Sequence, residues 1–443
     1  MARWLPACVV ALVGVCSLAA ADVEWAPAGN APFGNWFGQA TAYDTHRGVL
    51  VLFGGRDLAS PLNLNSDTWE WDGVTWTRYT PPVSPAPRAA ASMAYDSIRR
   101  VTVLFGGDTG TSGFDDTWDW NGTAWTRRFP SSFPEARSQA PMAFDSRRGV
   151  CVLFGGALAS GPHQDTWEYD GLTWVQRVGT PAPRARWGST MAYDPTRGRC
   201  VMFSGGAFGG PEDADTWEWD GITWAARNSP RAPRARYGHD LVFDSARGVV
   251  TLFGGGYGDP SLHLNDTWDW NGMDWVERTP SSPPSLRASS ILYYDDRRSR
   301  TVLIGGIHLT VLNDIWTLHD VRLDAAPTTP APGGTVALAL RSPAGPGLLY
   351  CAAAALSTTP AIPLPNNRFL GLSPDPLFFL SVCANGPIFE GFGGVLDQNG
   401  AASFRLRLPA DQALLGLTFH VGALTVGPLG IKGLANVITL RVL

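Results

Sequence analysis

The stretch DTWEWDGVTW, residues 67–76, decides the fold, because the chain returns to it throughout its first three quarters. Lightly varied, it recurs as DTWDWNGTAW from Asp116, DTWEYDGLTW from Asp165, DTWEWDGITW from Asp215 and DTWDWNGMDW from Asp266, and a truncated DIWTL starts at Asp314. Inside each full copy an Asp-Gly or Asn-Gly pair (Asp72-Gly73, Asn121-Gly122, Asp170-Gly171, Asp220-Gly221, Asn271-Gly272) separates two short runs rich in aromatic and β-branched residues. That is a β-hairpin signal, since a two-residue type I′ turn needs positive φ at both central positions. With those two residues as the loop, the register predicts that Trp71 faces Val74, Glu70 faces Thr75 and Trp69 faces Trp76. The same reading pairs Trp118 with Trp125, Trp167 with Trp174, Trp217 with Trp224 and Trp268 with Trp275. Indoles sharing a sheet face in this way are expected to be core, each hiding a large apolar area.

A second phrase precedes every hairpin: an aromatic residue, Asp-x-x-Arg, then an apolar run ending in two small residues. Its copies are YDTHRGVLVLFGG from Tyr43, YDSIRRVTVLFGG from Tyr95, FDSRRGVCVLFGG from Phe144, YDPTRGRCVMFSG from Tyr193, FDSARGVVTLFGG from Phe243 and YDDRRSRTVLIGG from Tyr294. An arginine opens the first strand of most units (Arg88, Arg137, Arg186, Arg236, Arg287), and Trp36 stands at that place in the first. The period is about fifty residues, with four short strands per unit and a double glycine after the second. Over residues 23–320 this pattern resembles the kelch repeat of β-propellers, the central domain of galactose oxidase among them. The resemblance implies an all-β fold built on a six-bladed propeller. Kelch propellers include enzymes, adaptors and glycan binders, so function has to be argued from sites.

The sixth unit supplies only three strands before its sequence changes. The stretch VEWAPAGNAPFGNW from Val23 reads like WTRYTPPVSPAPRA, the outer strand and linker of the first unit. The expectation is therefore that a strand around Trp25 closes the sixth blade by pairing with Trp316, giving a propeller over 22–322. Residues 323–334, with the run AAPTTPAPGG, read as a linker, and 335–443 as a small β-sandwich of alternating strands separated by Gly, Pro and Asn turns. For that domain a stalk, packing or accessory binding role is expected.

Residues 1–21 read as a cleaved signal peptide: Arg3, the apolar run CVVALVGVCSLAA and small residues Ala19, Ala20 and Ala21. The run is too short and poorly flanked for a stable membrane anchor, and no second span of membrane length follows. A secreted, periplasmic or cell-surface product is expected, without an integral membrane segment once the signal is removed. The net charge of −5 and the lack of basic clustering argue against a nucleic-acid partner. Cys151 and Cys200 occupy equivalent places on neighbouring second strands and read as buried small apolar residues. Cys351 and Cys383 lie together in the C-terminal region, where an oxidising space would permit a disulfide.

Chemistry is harder to find. No Gly-x-Ser-x-Gly, His-Glu-x-x-His or P-loop occurs. The phrase DGVTW lacks the spacing of the sialidase Asp-box, and no local motif carries the copper ligands that galactose oxidase would imply, so neither a cofactor nor a metal is expected. Acidic loop residues Asp108, Asp115 and Asp116, then Glu212, Asp213 and Asp215, offer oxygen ligands of the type that holds Ca²⁺, but read more simply as solvated loop acids and turn formers.

Internal repetition provides a filter. A residue present in nearly every unit, such as the arginine series or the DTW aspartates, serves a need of every blade, while a residue that breaks the pattern is a functional candidate. Among the tryptophans after the signal, Trp36 and Trp187 break it. Both fall where the loops from strand four to strand one, and from two to three, make one face of the propeller. With Tyr237, Arg56, Arg234, His239 and His263 they form the candidate ligand-binding set. Aromatics beside arginine and histidine suit stacking on sugar rings or anchoring a protein loop, and the competing reading of Trp187 and Tyr237 is a plug in the channel mouth. The functional expectation is an exported, non-enzymatic binding protein for a glycan or protein partner. The alternatives are a carbohydrate-active enzyme of oxidase or epimerase type and a structural component of a cell surface or matrix.

Overall fold

The computed structural model describes residues 23–320, apart from 61–62, 159–160, 207–212 and 281, and beyond them a set of strand segments between Arg322 and Arg441. Each fifty-residue unit folds into one four-stranded antiparallel sheet. In the first blade the strands are Ala40–Asp44, Val49–Phe53, Thr68–Trp71 and Trp76–Tyr79, and the order repeats over 92–128, 142–177, 190–227 and 240–278. The sixth sheet holds Ile291–Asp295, Arg300–Ile307, Val311–Asp320 and, as its fourth strand, Val23–Asn30. The N-terminal strand thus closes the blade that carries Trp316, and Trp25 within it is buried. The first strands of successive blades contact one another in a closed circuit, the sixth returning to the first. The fold is a six-bladed β-propeller.

The second strand of each blade reads as a continuous apolar run because both its faces are covered. Leu50, Val51, Leu52 and Phe53 are buried, and so are their counterparts through Val302, Leu303 and Ile304. The apolar clusters lie between blades: Val51 and Phe53 of the first pack with Leu104, Trp120 and Trp125 of the second. Cys151 and Cys200 are free and buried in this layer.

The hairpin register differs from the expectation by one turn position. Trp71 pairs with Trp76, Glu70 with Thr77 and Trp69 with Arg78. In the next three blades Trp120 pairs with Trp125, Tyr169 with Trp174 and Trp219 with Trp224. The reason is the aspartate side chain. Asp72 Oδ1 accepts the N–H groups of Val74 and Thr75 at 2.8 and 2.7 Å, so the residue caps the turn from its first position. Glycine then takes the first central place, where Gly73 has φ of 91°, and no second positive φ is needed. Trp69 and Trp76 still share a face, because the register moved by an even number of residues, and Trp71 joins them there.

Each letter of the DTW phrase has a task. The aspartate receives the arginine that opens its own blade: Arg137 reaches Asp165 with two bonds of 2.5 and 3.0 Å, and its Nη1 also donates to the Gly155 carbonyl at 2.9 Å. The backbone of Arg137 belongs to the preceding blade's edge, donating to Phe114 O and accepting from Gly107 N. One residue therefore latches two blades, and Arg88, Arg186, Arg236 and Arg287 make the same side-chain bonds to Asp116, Asp215, Asp266 and Asp314. The threonine accepts the indole N–H of the next blade's outer tryptophan, as Thr68 does from Trp125 and Thr117 from Trp174. The tryptophan returns its own N–H to the aspartate, Trp118 to Asp116, Trp167 to Asp165, Trp217 to Asp215, Trp268 to Asp266 and Trp316 to Asp314. Outer indoles Trp224 and Trp275 complete the series on Thr166 and Thr216.

The chain divides into two compact units, one of residues 27–277 and 284–317 and another that takes in 318–443 with 1–26 and 278–283. The C-terminal region contains a pair of larger antiparallel sheets. One orders Arg322–Ala326, Thr335–Arg341, Ala401–Arg407 and Phe389–Glu390. The other orders Gly393–Val395, Leu349–Ala355, Thr418–Gly427 and Gly430–Leu434, with Ile438–Arg441 also on Thr418–Gly427. The strand Arg322–Ala326 thus runs into the stretch read as linker. Cys383 and residues 1–22 lie outside the described residues, as does the side chain of Cys351.

Candidate functional site

Two residues past each latch position, the chain turns through the left-handed region. Gly38, Ala90, Gln139, Gly188, Gly238 and Ser289 all have φ between 51° and 68°. From Ala90 to Ser289 the N–H of each donates to the carbonyl of its counterpart one blade earlier, at 2.7 to 3.1 Å. These bonds form a belt around the mouth of the central channel. Alanine, glutamine and serine are strained there, at a cost of about 1 kcal/mol or more each, and the belt's hydrogen bonds hold them in place. The belt rims a cavity of about 720 Å³ whose lining includes Phe37, Arg56, Asp108, Gln139, Trp187 and Ser289.

Immediately before two of the belt glycines stand Trp187 and Tyr237. Backbone bonds in both directions fix Trp187 to Gly206 and Tyr237 to Gly256. The Trp187 indole lies so close over Gly206 that a Cβ there would come within 2.7 Å of it, so any side chain at this position would displace the indole. The two aromatic rings meet at 5.3 Å with their planes tilted by 44°, and each remains half-buried. Across Gly256, the His263 ring borders Tyr237. His263 Nδ1 lies 3.0 Å from His308 Nδ1, so one ring donates and the other accepts. Burial, reinforced by His308, holds the His263 pKa below the usual histidine range. Arg234 places its guanidinium 3.7 Å over the ring of Tyr257 in the same neighbourhood.

The structure therefore gathers Trp187, Tyr237 and His263, with Arg234 beside them, on blades four to six. His308 completes the group. It was missed because its sequence GGIHL follows the sixth double glycine without any local motif, and only its loop position, equivalent to that of Tyr257, could have pointed to it.

The other three candidates are placed differently. Arg56 lines the mouth cavity but is ion-paired with Asp108 across the first two blades. Trp36 is followed by the same bridge as each latch arginine but supplies no guanidinium. Its short strand Trp36–Phe37 pairs with Arg56–Asp57, and its ring lines a separate cavity. His239 is buried to 1% exposure, edge-on to Phe203 at 5.6 Å. Burial first, and the charge of Arg236 second, push its pKa down to about 3, so it is a neutral core residue that no ligand on this face can touch.

The loop acids are largely engaged by arginine: Asp108 by Arg56, Asp116 by Arg88, Asp215 by Arg186 and Asp213 by Arg184 at 3.7 Å. Glu212 lies outside the described residues. Among the described residues no group of three or more His, Cys, Asp or Glu side chains is arranged to hold a metal ion. No described helix is long and apolar enough to cross a membrane.

Fold and face together define a six-bladed β-propeller consistent with the kelch type. No protein-family model matches the chain, and no curated protein matches it.

Proposed function

We propose that this protein is an exported kelch-type propeller that binds a glycan on the loop face centred on Trp187 and Tyr237, without turning it over. The observation that carries this reading is the pair of tilted, half-buried aromatic rings of Trp187 and Tyr237, flanked by histidine and arginine side chains, with Trp187 also lining the cavity at the channel mouth. Aromatic faces pack against the C–H faces of sugar rings, and the polar neighbours supply hydrogen bonds to hydroxyl groups. A mouth of about 720 Å³ falls in the size range of small-molecule sites, which favours a saccharide over a flat protein surface. Export follows from the reading of residues 1–21 as a signal peptide, and the C-terminal domain is proposed as a stalk or accessory module.

The test is binding of residues 22–443 to an immobilised glycan panel, for the native protein and for the Trp187→Ala/Tyr237→Ala variant. Saturable binding that the double variant loses supports the proposal. A blank panel, or binding unchanged in the variant, rejects this site as a glycan site and turns attention to a protein partner.

A further inference from the structure

Among the described residues, the first blade is the one whose DTW aspartate lacks the arginine that opens a blade. In the other five, that arginine spans an aspartate carboxylate and a glycine or serine carbonyl with three hydrogen bonds. The first blade keeps the acceptors, Asp67 and the Gly54 carbonyl, and keeps Trp69 beside them. Trp36, the sequence counterpart of the arginines, is followed by the same bridge, Phe37 pairing with Arg56 as Ala89 does with Asp108, but it brings no guanidinium to these acceptors. What remains is a cavity of about 220 Å³ lined by Asp67, Gly54, Asn65, Gln39 and the aromatic rings of Trp36 and Trp69.

The same junction differs in a second respect. Outer-strand indoles in blades two to five donate to a threonine of the preceding blade. For Trp76 the preceding phrase is DIW, so Ile315 replaces the threonine, and Trp76 Nε1 is buried without a hydrogen-bond partner. The seam between blades six and one thus lacks two of the ties that join the others. Its packing comes from Phe33, edge-on to Trp69 and Trp76 at 5.9 and 4.6 Å, and from Tyr43, which stacks on Tyr293 and donates to Asp295 at 2.9 Å.

We propose that this vacated socket is a binding site for an alkylguanidinium group, taken from the arginine side chain of a partner polypeptide. The acceptor set is the one that the protein itself uses five times over for arginine, and a planar fork of donors matches it where a point-charge ammonium does not. Aromatic walls on a polar floor suit a guanidinium plane, which stacks on rings as readily as it pairs with carboxylate. Arg78 now holds Asp67 Oδ1 at 2.6 Å from the outer strand. Its side chain is 53% exposed, so it acts as a movable cover over the carboxylate and competes with the incoming group. The site is independent of the aromatic cluster on blades four to six.

Calorimetric titration of the mature protein with the peptide acetyl-Gly-Arg-Gly-amide, its lysine counterpart, free L-arginine and agmatine tests the inference. The arginine peptide is expected to bind about tenfold more tightly than the lysine peptide. Binding should be lost in Asp67→Asn and strengthened in Arg78→Ala, with melting temperature recorded for each variant. Agmatine binding as tightly as the peptide would show that a free small guanidine, and not a polypeptide, is the ligand, and would overturn the assignment of the source. Absence of binding in both the native protein and folded Arg78→Ala, or equal binding in Asp67→Asn, would overturn the site itself.

Discussion

At the scale of single residues, the latch arginine explains more of the structure than any apolar side chain. Arg137 is buried and holds Asp165 in a bidentate pair, and burial, which alone would raise the Asp165 pKa, is overcome by the Arg137 bonds, so the carboxyl sits below its ordinary 3.8. Arg137→Ala strands that carboxylate and is expected to cost about 3 to 5 kcal/mol in denaturant unfolding, while Arg137→Met with Asp165→Asn should recover some of the loss. The pH dependence follows in sign. Asp116, Asp165 and Asp314 have depressed pKa values when folded, so their stabilisation is present above pH 3.8 and is lost as pH falls through the folded values. His239, also depressed, acts the same way in a higher window, since the unfolded chain takes up a proton below about pH 6.5 that the folded protein refuses. Burial raises the Asp240 carboxyl to about 8, and its contribution to stability grows as pH falls, opposing that of His239, so from pH 7 down to pH 4 the measured stability of His239→Phe should rise relative to that of the native protein.

At the scale of the element, the hairpin shows how far sequence reading reaches. The recurring Asp-Gly and Asn-Gly pairs located every hairpin correctly, because few other dipeptides tolerate such turns. They misplaced the register, because an aspartate can serve a turn through its side chain as well as its backbone, and composition does not say which. Asp170 Oδ1 accepts from Leu172 and Thr173 at 2.8 and 2.9 Å, so Asp170→Ala should lower stability by about 1 kcal/mol without changing the fold, as seen in thermal melts. The phrase aromatic-Asp-x-x-Arg has a matching explanation. In the first blade Arg47 bridges Asp44 and Glu70, and Glu70 in turn accepts the indole N–H of Trp120 from the next blade. Repetition made these residues visible as structural, but their partners are some twenty to fifty positions away and appear only when the strands pair. The belt was not legible at all, since nothing in Ala90, Gln139 or Ser289 announces a left-handed backbone.

At the scale of the whole molecule, ring closure was legible and the site was only partly so. The N-terminal strand resembled an outer strand closely enough for its place in blade six to be foreseen, and no local signal contradicted it. The filter of repeat-breaking residues found Trp187, and of the residues grouped with it the fold gathers Tyr237, Arg234 and His263 nearby but buries His239, because closeness in the repeat pattern does not say which side chains reach the face. Trp36 was flagged by the same filter, and its departure from the latch leaves the open socket of the first blade.

Ring-building and binding are thus assigned to different residues. Thermal unfolding of Trp25→Ala and of Trp187→Ala/Tyr237→Ala, side by side with the native protein, tests that division directly. The expected result is a large drop for Trp25→Ala, on the order of 3 to 5 kcal/mol for a buried tryptophan, with the double variant melting close to the native protein. A double variant that falls as far as Trp25→Ala would make the aromatic pair a plug of the channel and contradict the assignment of this face as a binding site.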